Sequence, residues 1–255
     1  MFVTDLLARK KVLNIAHRGF TAQAPENTMK AFRDAMQLGA DGIELDVRRC
    51  RSGEVVVFHD SRLDRMTNGN GLLKNTPLAG LKTLRIVHQG RETEEQIPTL
   101  EEVLDLVRDK MLVNIEIKAN GLPTRNNLEE KVLQICGRFG LEYKVILSSF
   151  NPLTVRKVRK LDEQVLNGFI IDKNFNIGNT ELLLGKVAGA RAIHMESSLL
   201  TAALARKISR RGLYCLVWTV NAREAMRRFV QLGVNGIITD KPDVLDSIIR
   251  EVAND

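Results

Sequence analysis

Short runs rich in β-branched residues alternate with longer amphipathic runs along almost the whole chain, and this rhythm constrains the fold more than any other feature. Val12–Ala16, Gly42–Val47, Val55–His59, Leu112–Lys118, Val145–Ser149, Val165–Ile170, Ala192–Met195, Leu213–Val220 and Gly236–Thr239 read as strands. Helical periodicity fits Thr28–Leu38, Thr99–Asp109, Leu128–Phe139, Pro152–Leu161, Glu181–Lys186, Leu199–Arg211, Ala222–Leu232 and Pro242–Val252. Repeated βα alternation predicts a parallel sheet covered by helices. A length of 255 residues is what one eightfold barrel needs, so residues 1–255 are expected to form one domain.

Nine strands is one too many for such a barrel, and the extra one can be found physically. Only Arg49–Glu54, including Ser52-Gly53, separate the second and third runs. Parallel neighbours need a crossover of about a dozen residues. Val55–His59 is therefore expected to return antiparallel to Gly42–Val47 as a hairpin. With a turn near Ser52, opposed residues have numbers summing to about 104, which puts His59 level with Leu45. Eight parallel strands remain, each followed directly by a helix except the second. The second crossover, about 60–98, carries Asn68-Gly69-Asn70-Gly71 and reads as a lid or small insertion. The expected fold is α/β: a (β/α)8 TIM barrel with an extra antiparallel hairpin strand and a small insertion after strand 2.

A formal charge of +7 attracts anions, but aromatics are only 5% and do not interleave with the basic residues, so no nucleic-acid partner is expected. The densest basic runs, Arg156–Lys160 and Arg206–Arg211, fall on helices and read as solvated faces. Cys50, Cys136 and Cys215 are far apart and form no CxxC pair, which reads as reduced thiols in a cytoplasmic protein. No signal-peptide core and no apolar run long enough to span a membrane is visible, so no stable membrane insertion is expected. A homodimer is compatible with the sequence.

A barrel's active site lies at the carboxyl ends of its strands. Residues i and i+2 of a strand share a face, so Glu44 and Asp46 point one way, as do Glu116 and Lys118. If that polar face is the inner one, three carboxylates converge, and a divalent cation resolves their repulsion. An all-oxygen site suits Mg2+ or Ca2+. His59 arrives from the hairpin and His17 from strand 1. With Arg18 and Lys118 to hold phosphate, two imidazoles able to exchange protons make a phosphodiester site. His88 reads as a surface residue in the insertion, and His194 as a packing residue more readily than a pocket one. Asp60 and Asp240 read as helix caps or ion-pair partners.

The chain resembles the glycerophosphodiester phosphodiesterase family. The resemblance rests on Ile15-Ala16-His17-Arg18-Gly19, Pro25-Glu26-Asn27-Thr28, Gly39 to Val47, Phe58-His59-Asp60 and Leu63-Asp64-Arg65 with Thr67-Asn68-Gly69. It continues through Ile97 to Val103, Ile115-Glu116-Ile117-Lys118, Val217-Trp218-Thr219-Val220-Asn221 and Gly236 to Asp240. It implies a barrel enzyme that hydrolyses glycerophosphodiesters to sn-glycerol 3-phosphate and an alcohol. It implies His17 and His59 as general acid and base, and Glu44, Asp46 and Glu116 as ligands of one divalent cation. Arg18 and Lys118 would hold the phosphate. Trp218 fits the core, and its strand-end position also suits a wall for the glycerol carbons. The match is loose over about 119–144 and 162–190, which are expected to shape the alcohol side. Two rivals are a phospholipase-type phosphodiesterase acting on lipid headgroups and a noncatalytic phosphate-ligand-binding barrel.

Overall fold

A computed structural model describes residues 3–9, 12–108, 110–118, 127–141, 143–174 and 181–254. Helix α1 (Val3–Arg9) leads into β1 (Leu13–Ala16), α2 (Met29–Leu38), β2 (Gly42–Arg49) and the short β3 (Val55–Val57). The segment after β3 holds a 3-10 turn (Leu73–Asn75), α3 (Leu78–Leu81) and a small hairpin of β4 (Val87–His88) and β5 (Arg91–Glu92). Then follow α4 (Leu100–Val107), β6 (Leu112–Ile117), α5 (Leu128–Arg138), β7 (Val145–Ser149), α6 (Pro152–Leu161), β8 (Leu166–Ile171) and α7 (Glu181–Val187). The chain ends through β9 (Ala192–Glu196), α8 (Ala202–Ser209), β10 (Tyr214–Trp218), α9 (Arg223–Leu232), β11 (Gly236–Thr239) and α10 (Pro242–Asn254).

Eight strands run parallel in the order β1, β2, β6, β7, β8, β9, β10, β11, and β11 pairs back onto β1 to close the barrel. The hairpin strand β3 is antiparallel to β2, with Val47 opposite Val57 and Arg49 opposite Val55, the register expected from the turn. One edge of β2 is shared: β1 takes its lower end at Gly42 and Ile43, and β3 its upper end. Gly53, at φ +107, turns the chain between them and donates its N–H to the Cys50 carbonyl at 3.1 Å.

Local signals set the helix ends. Thr99 and Glu102 form a reciprocal capping box at the start of α4, and Thr28 caps α2, which ends on Gly39 in the left-handed region. Side chains alternate across each strand. Ile43, Leu45, Val47, Val113, Ile115 and Ile117 face outward into the helices, with Leu100, Val103, Leu104 and Val132. Leu13, Ile15, Leu112, Ile146, Leu166, Leu216 and Ile238 fill the interior, and Val3 and Leu7 of α1 pack against them from the amino-terminal end. Each such burial contributes about 1.5–3 kcal/mol. That plug was not foreseen, because seven residues of mixed character carry little periodicity. The 60–98 segment has its own small core of Leu63, Met66, Leu73, Leu81, Ile86 and Ile97 against Val56 and Phe58.

Cys50, Cys136 and Cys215 are buried, and none of the three forms a disulfide. Among the described residues, no helix is long and apolar enough to cross a membrane. Of the segments expected to shape the alcohol side, residues 119–126, 142 and 175–180 lie outside the described residues.

Candidate active site

The even-numbered residues of β2 and β6 turn inward, and their upper members are polar. Glu44, Asp46 and Glu116 are all buried, and each offers a carboxylate oxygen within 4.8 Å of the others'. Glu116 and Asp46 stand opposite one another in the β2–β6 register, so neighbouring strands deliver both to one height. Lys118 Nζ lies 2.5 Å from Glu116 Oε1 and 2.9 Å from Asp46 Oδ1. Arg18 Nε approaches Asp46 Oδ2 at 3.3 Å, and its backbone N–H donates to Glu44 Oε2 at 3.0 Å.

These charges do not balance evenly. Burial and repulsion from Asp46 push the Glu44 carboxyl up to about 7. Burial lifts Glu116 to about 8, against the pull of Lys118. At Asp46 burial acts in the same direction, but Lys118, Arg18, His59 and the Asn27 amide outweigh it, and its pKa falls below the usual range. Three buried carboxylates, two of which keep their protons near neutrality for want of counter-charge, offer only oxygen donors and can hold a hard divalent ion.

His17 and His59 flank this group. Both line a cavity of about 210 Å3 together with Arg18, Glu44, Glu116 and Lys118. Each imidazole is backed by a carboxylate: His17 Nδ1 is 2.7 Å from Asp240 Oδ1, and His59 Nδ1 is 2.7 Å from Asp60 Oδ1. Such bonds orient the ring and leave Nε2 for chemistry. His17 Nε2 is 4.0 Å from Glu44 Oε2. Phe58 N–H donates to the Asp46 carbonyl at 2.8 Å, so the hairpin carries His59 up beside the acidic group. Trp218 walls the cavity, its ring edge-on to Phe150 with centroids 5.5 Å apart, and its indole N–H donates to the His194 carbonyl.

Backbone geometry also shapes the site. Arg18 and Asn27 both have positive φ, and Asn27 N–H donates to the Arg18 carbonyl at 2.9 Å. This places the Asn27 amide so that it donates to Asp46 Oδ2 at 2.8 Å while accepting from Asp46 N–H at 3.3 Å. Non-glycine residues in this region cost energy and cluster at functional sites.

All eight residues singled out from sequence converge on this end of the barrel. His194 also reaches the cavity, as a buried ring whose Nε2 packs against Gly168 and whose pKa burial lowers to about 3. His88 sits in the insertion hairpin away from the cavity. Sequence reasoning missed Asn27 and the histidine-backing roles of Asp60 and Asp240. Two signals were available: Asp60 follows His59 directly, and closing a barrel must bring the end of its last strand beside the end of its first. A larger recess of about 450 Å3 at the opposite end, lined by Val3, Leu6, Asp41 and Lys110, contains none of these groups.

An eightfold α/β barrel with an acidic triad, two carboxylate-backed imidazoles and two cations at the carboxyl ends of its strands has the groups that phosphodiester hydrolysis uses. The glycerophosphoryl diester phosphodiesterase family model matches residues 17–244. A glycerophosphodiester phosphodiesterase of Caldanaerobacter subterraneus subsp. tengcongensis is 39% identical over 245 residues, 94% of this chain and 99% of that protein. One of Bacillus altitudinis is 36% identical over 244 residues, covering 93% and 98%. The solved structure of an Oleispira antarctica phosphodiesterase in complex with the product sn-glycerol-3-phosphate aligns with a TM-score of 0.81 at 28% identity, covering 92% of this chain and 96% of that one. The chain belongs to the glycerophosphoryl diester phosphodiesterase family.

Proposed function

We propose that this chain hydrolyses soluble glycerophosphodiesters to sn-glycerol 3-phosphate and an alcohol, with one divalent cation, Mg2+ or Ca2+, and with His17 and His59 as the acid–base pair. The observation that carries this reading is that Glu44, Asp46 and Glu116 gather within 4.8 Å of one another, with Glu44 and Glu116 lining the cavity that both imidazoles line. Supporting it, the Oleispira relative was solved with sn-glycerol-3-phosphate as its product. We take 1–255 as one domain with 60–98 inserted in it.

Glu44, Asp46 and Glu116 would hold the cation, which when bound polarises a phosphate oxygen and stabilises charge in the transition state. Arg18 and Lys118 grip the nonbridging oxygens, the guanidinium through paired N–H groups and the ammonium as a point charge. One imidazole takes the proton of the attacking hydroxyl, and the other delivers a proton to the departing alkoxide as the P–O bond breaks. The attacking hydroxyl is water, or the glycerol 2-hydroxyl followed by water opening the cyclic phosphate. Both routes end in the same products. Trp218 and Phe150 supply an apolar wall for the glycerol carbons.

The test is hydrolysis of glycerophosphocholine and glycerophosphoethanolamine, with and without EDTA. Metal-dependent release of glycerol 3-phosphate is expected. No release from either compound in the presence of Mg2+ or Ca2+ would overturn the proposal, and preferential cleavage of intact phospholipids would replace it with the lipid-headgroup reading.

A further inference from the structure

The two imidazoles are supported by different parts of the chain. Asp240, behind His17, is held by Thr21 Oγ1 at 2.9 Å and Asn221 Nδ2 at 2.6 Å, which come from the loops after β1 and β10. Asp60, behind His59, is held by Arg65 of the insertion, whose Nε donates to Asp60 Oδ2 at 2.5 Å. The same guanidinium donates twice to Glu26, from Nη1 to Oε2 at 3.0 Å and from Nη2 to Oε1 at 2.7 Å. Glu26 Oε1 in turn accepts from Arg18 Nη1 at 2.9 Å. One planar group therefore joins two carboxylates, one leading to His59 and the other to Arg18.

We propose that Arg65 is a positioning residue that holds His59 and Arg18 in register with each other, coupling the insertion to the reaction centre. This inference rests on the phosphodiesterase reading and extends it. A lone exposed ion pair contributes little to stability. Arg65 differs because its two partners are themselves committed. Asp60 has its other oxygen on an imidazole, and Glu26 has another guanidinium on Oε1. The loop that presents Arg65 is anchored, with Leu63 buried in the insertion's core and Leu63 N–H bonded to the Gly71 carbonyl at 2.9 Å. His59 is gripped from behind as well, since Arg48 Nε and Nη2 both donate to its carbonyl, at 2.8 and 2.6 Å. Rotation of its ring therefore depends on Asp60, and the position of Asp60 on Arg65. At 48% side-chain exposure, Arg65 can be replaced without opening the core.

The experiment compares Arg65→Met and Arg65→Lys with wild type by steady-state kinetics and thermal unfolding, with Arg62→Ala as a control in the same loop. Arg62 Nη2 donates to the exposed Asp64 Oδ1 at 3.1 Å. Arg65→Met should lower kcat about tenfold or more, as expected when the partner orienting an acid–base group is lost. Arg65→Lys should recover little, because an ammonium cannot bridge both carboxylates as a fork. Arg62→Ala should be unchanged. In an Asp60→Asn background the further loss from Arg65→Met should shrink to about threefold or less, the signature of a shared path. The His59 ring-nitrogen NMR signals should shift in Arg65→Met, a readout that does not need turnover. Wild-type kcat and KM in Arg65→Met, with unshifted His59 signals, would overturn the proposal. A wild-type protein with no glycerophosphodiesterase activity would sink the functional reading alone, and the His59 signals would still decide the positioning role. If Arg65→Met does not fold, Arg65→Lys carries the same comparison.

Discussion

His17 Nδ1 and Asp240 Oδ1 lie 2.7 Å apart, joining groups 223 positions distant at the seam where the first and last barrel strands meet. The bond directs the other ring nitrogen toward Glu44 and couples the proton state of His17 to the closure of the barrel.

That bond should show in the pH dependence of turnover. Burial works against protonated His17, but the hydrogen bond to Asp240 and the field of Glu44 outweigh it, so its pKa lies above the ordinary value. At His59 burial prevails and the pKa lies below it, despite Asp46. A base must be neutral and an acid protonated, so kcat/KM should rise with pH through the His59 titration and fall through that of His17. Asp240→Asn should move the alkaline limb to lower pH. An alkaline limb unmoved in that variant would separate His17 from the acid role.

Removing either imidazole should cost turnover and leave the fold intact. His17→Ala and His59→Ala are each expected to lower kcat about 100-fold or more, with melting temperatures close to wild type. Near-full activity in either variant removes that residue from the mechanism.

Cation binding should release protons. With Glu44 lifted to about 7 and Glu116 to about 8, a divalent ion must displace protons from them near neutrality. Titration calorimetry in buffers of different ionisation enthalpy should show this release, and affinity should weaken as pH falls from 8 to 6. EDTA should abolish activity, and added Mg2+ or Ca2+ should restore it. Affinity independent of pH over that range would place the ion elsewhere.

Two neighbouring carboxylates should respond oppositely to neutralisation. Glu44 has a raised pKa, so in the folded chain its ionised form is disfavoured, a penalty that builds as pH rises from the ordinary carboxylate range through about 7. Glu44→Gln should therefore raise the melting temperature at pH 8 in the presence of chelator, and should remove activity when Mg2+ or Ca2+ is supplied. Asp46 is completely buried with a depressed pKa and partners in Lys118 and Arg18. Asp46→Asn leaves those charges short of a partner and should cost about 3 kcal/mol. Urea unfolding of the two variants checks the signs.

Gly19 tests the backbone of the first loop. It adopts φ +86, and a Cβ there would lie 2.6 Å from the Ala31 Cβ and 2.7 Å from the Ala31 carbonyl carbon. Gly19→Ala should destabilise by about 2 kcal/mol or more, through left-handed strain and the displacement of α2. It should also impair Arg18, which precedes it. Thermal unfolding and kcat/KM report the two effects separately.

Much of this arrangement was legible beforehand. The strands at 42–49, 112–117, 145–149 and 236–239 fall where β-branched runs stand, and the hairpin pairs residues whose numbers sum to 104, as the turn required. The i, i+2 spacing put Glu44 with Asp46 and Glu116 with Lys118 on common faces, and both faces turn inward. The two-residue strands β4 and β5 and helix α3 were not legible, being too short for any period to show.

The sequence by itself determined the alternation of strand and helix, the one strand that had to run backward, and which side chains of each strand share a face. These follow from backbone geometry repeating every two or 3.6 residues, so a local pattern suffices. Only the tertiary structure decided that Asp240 stands behind His17, that Arg65 spans Asp60 and Glu26, and that the Asn27 amide clasps Asp46. Those contacts depend on how strands are staggered when the barrel closes and on where loops settle across it, and no short-range period records either.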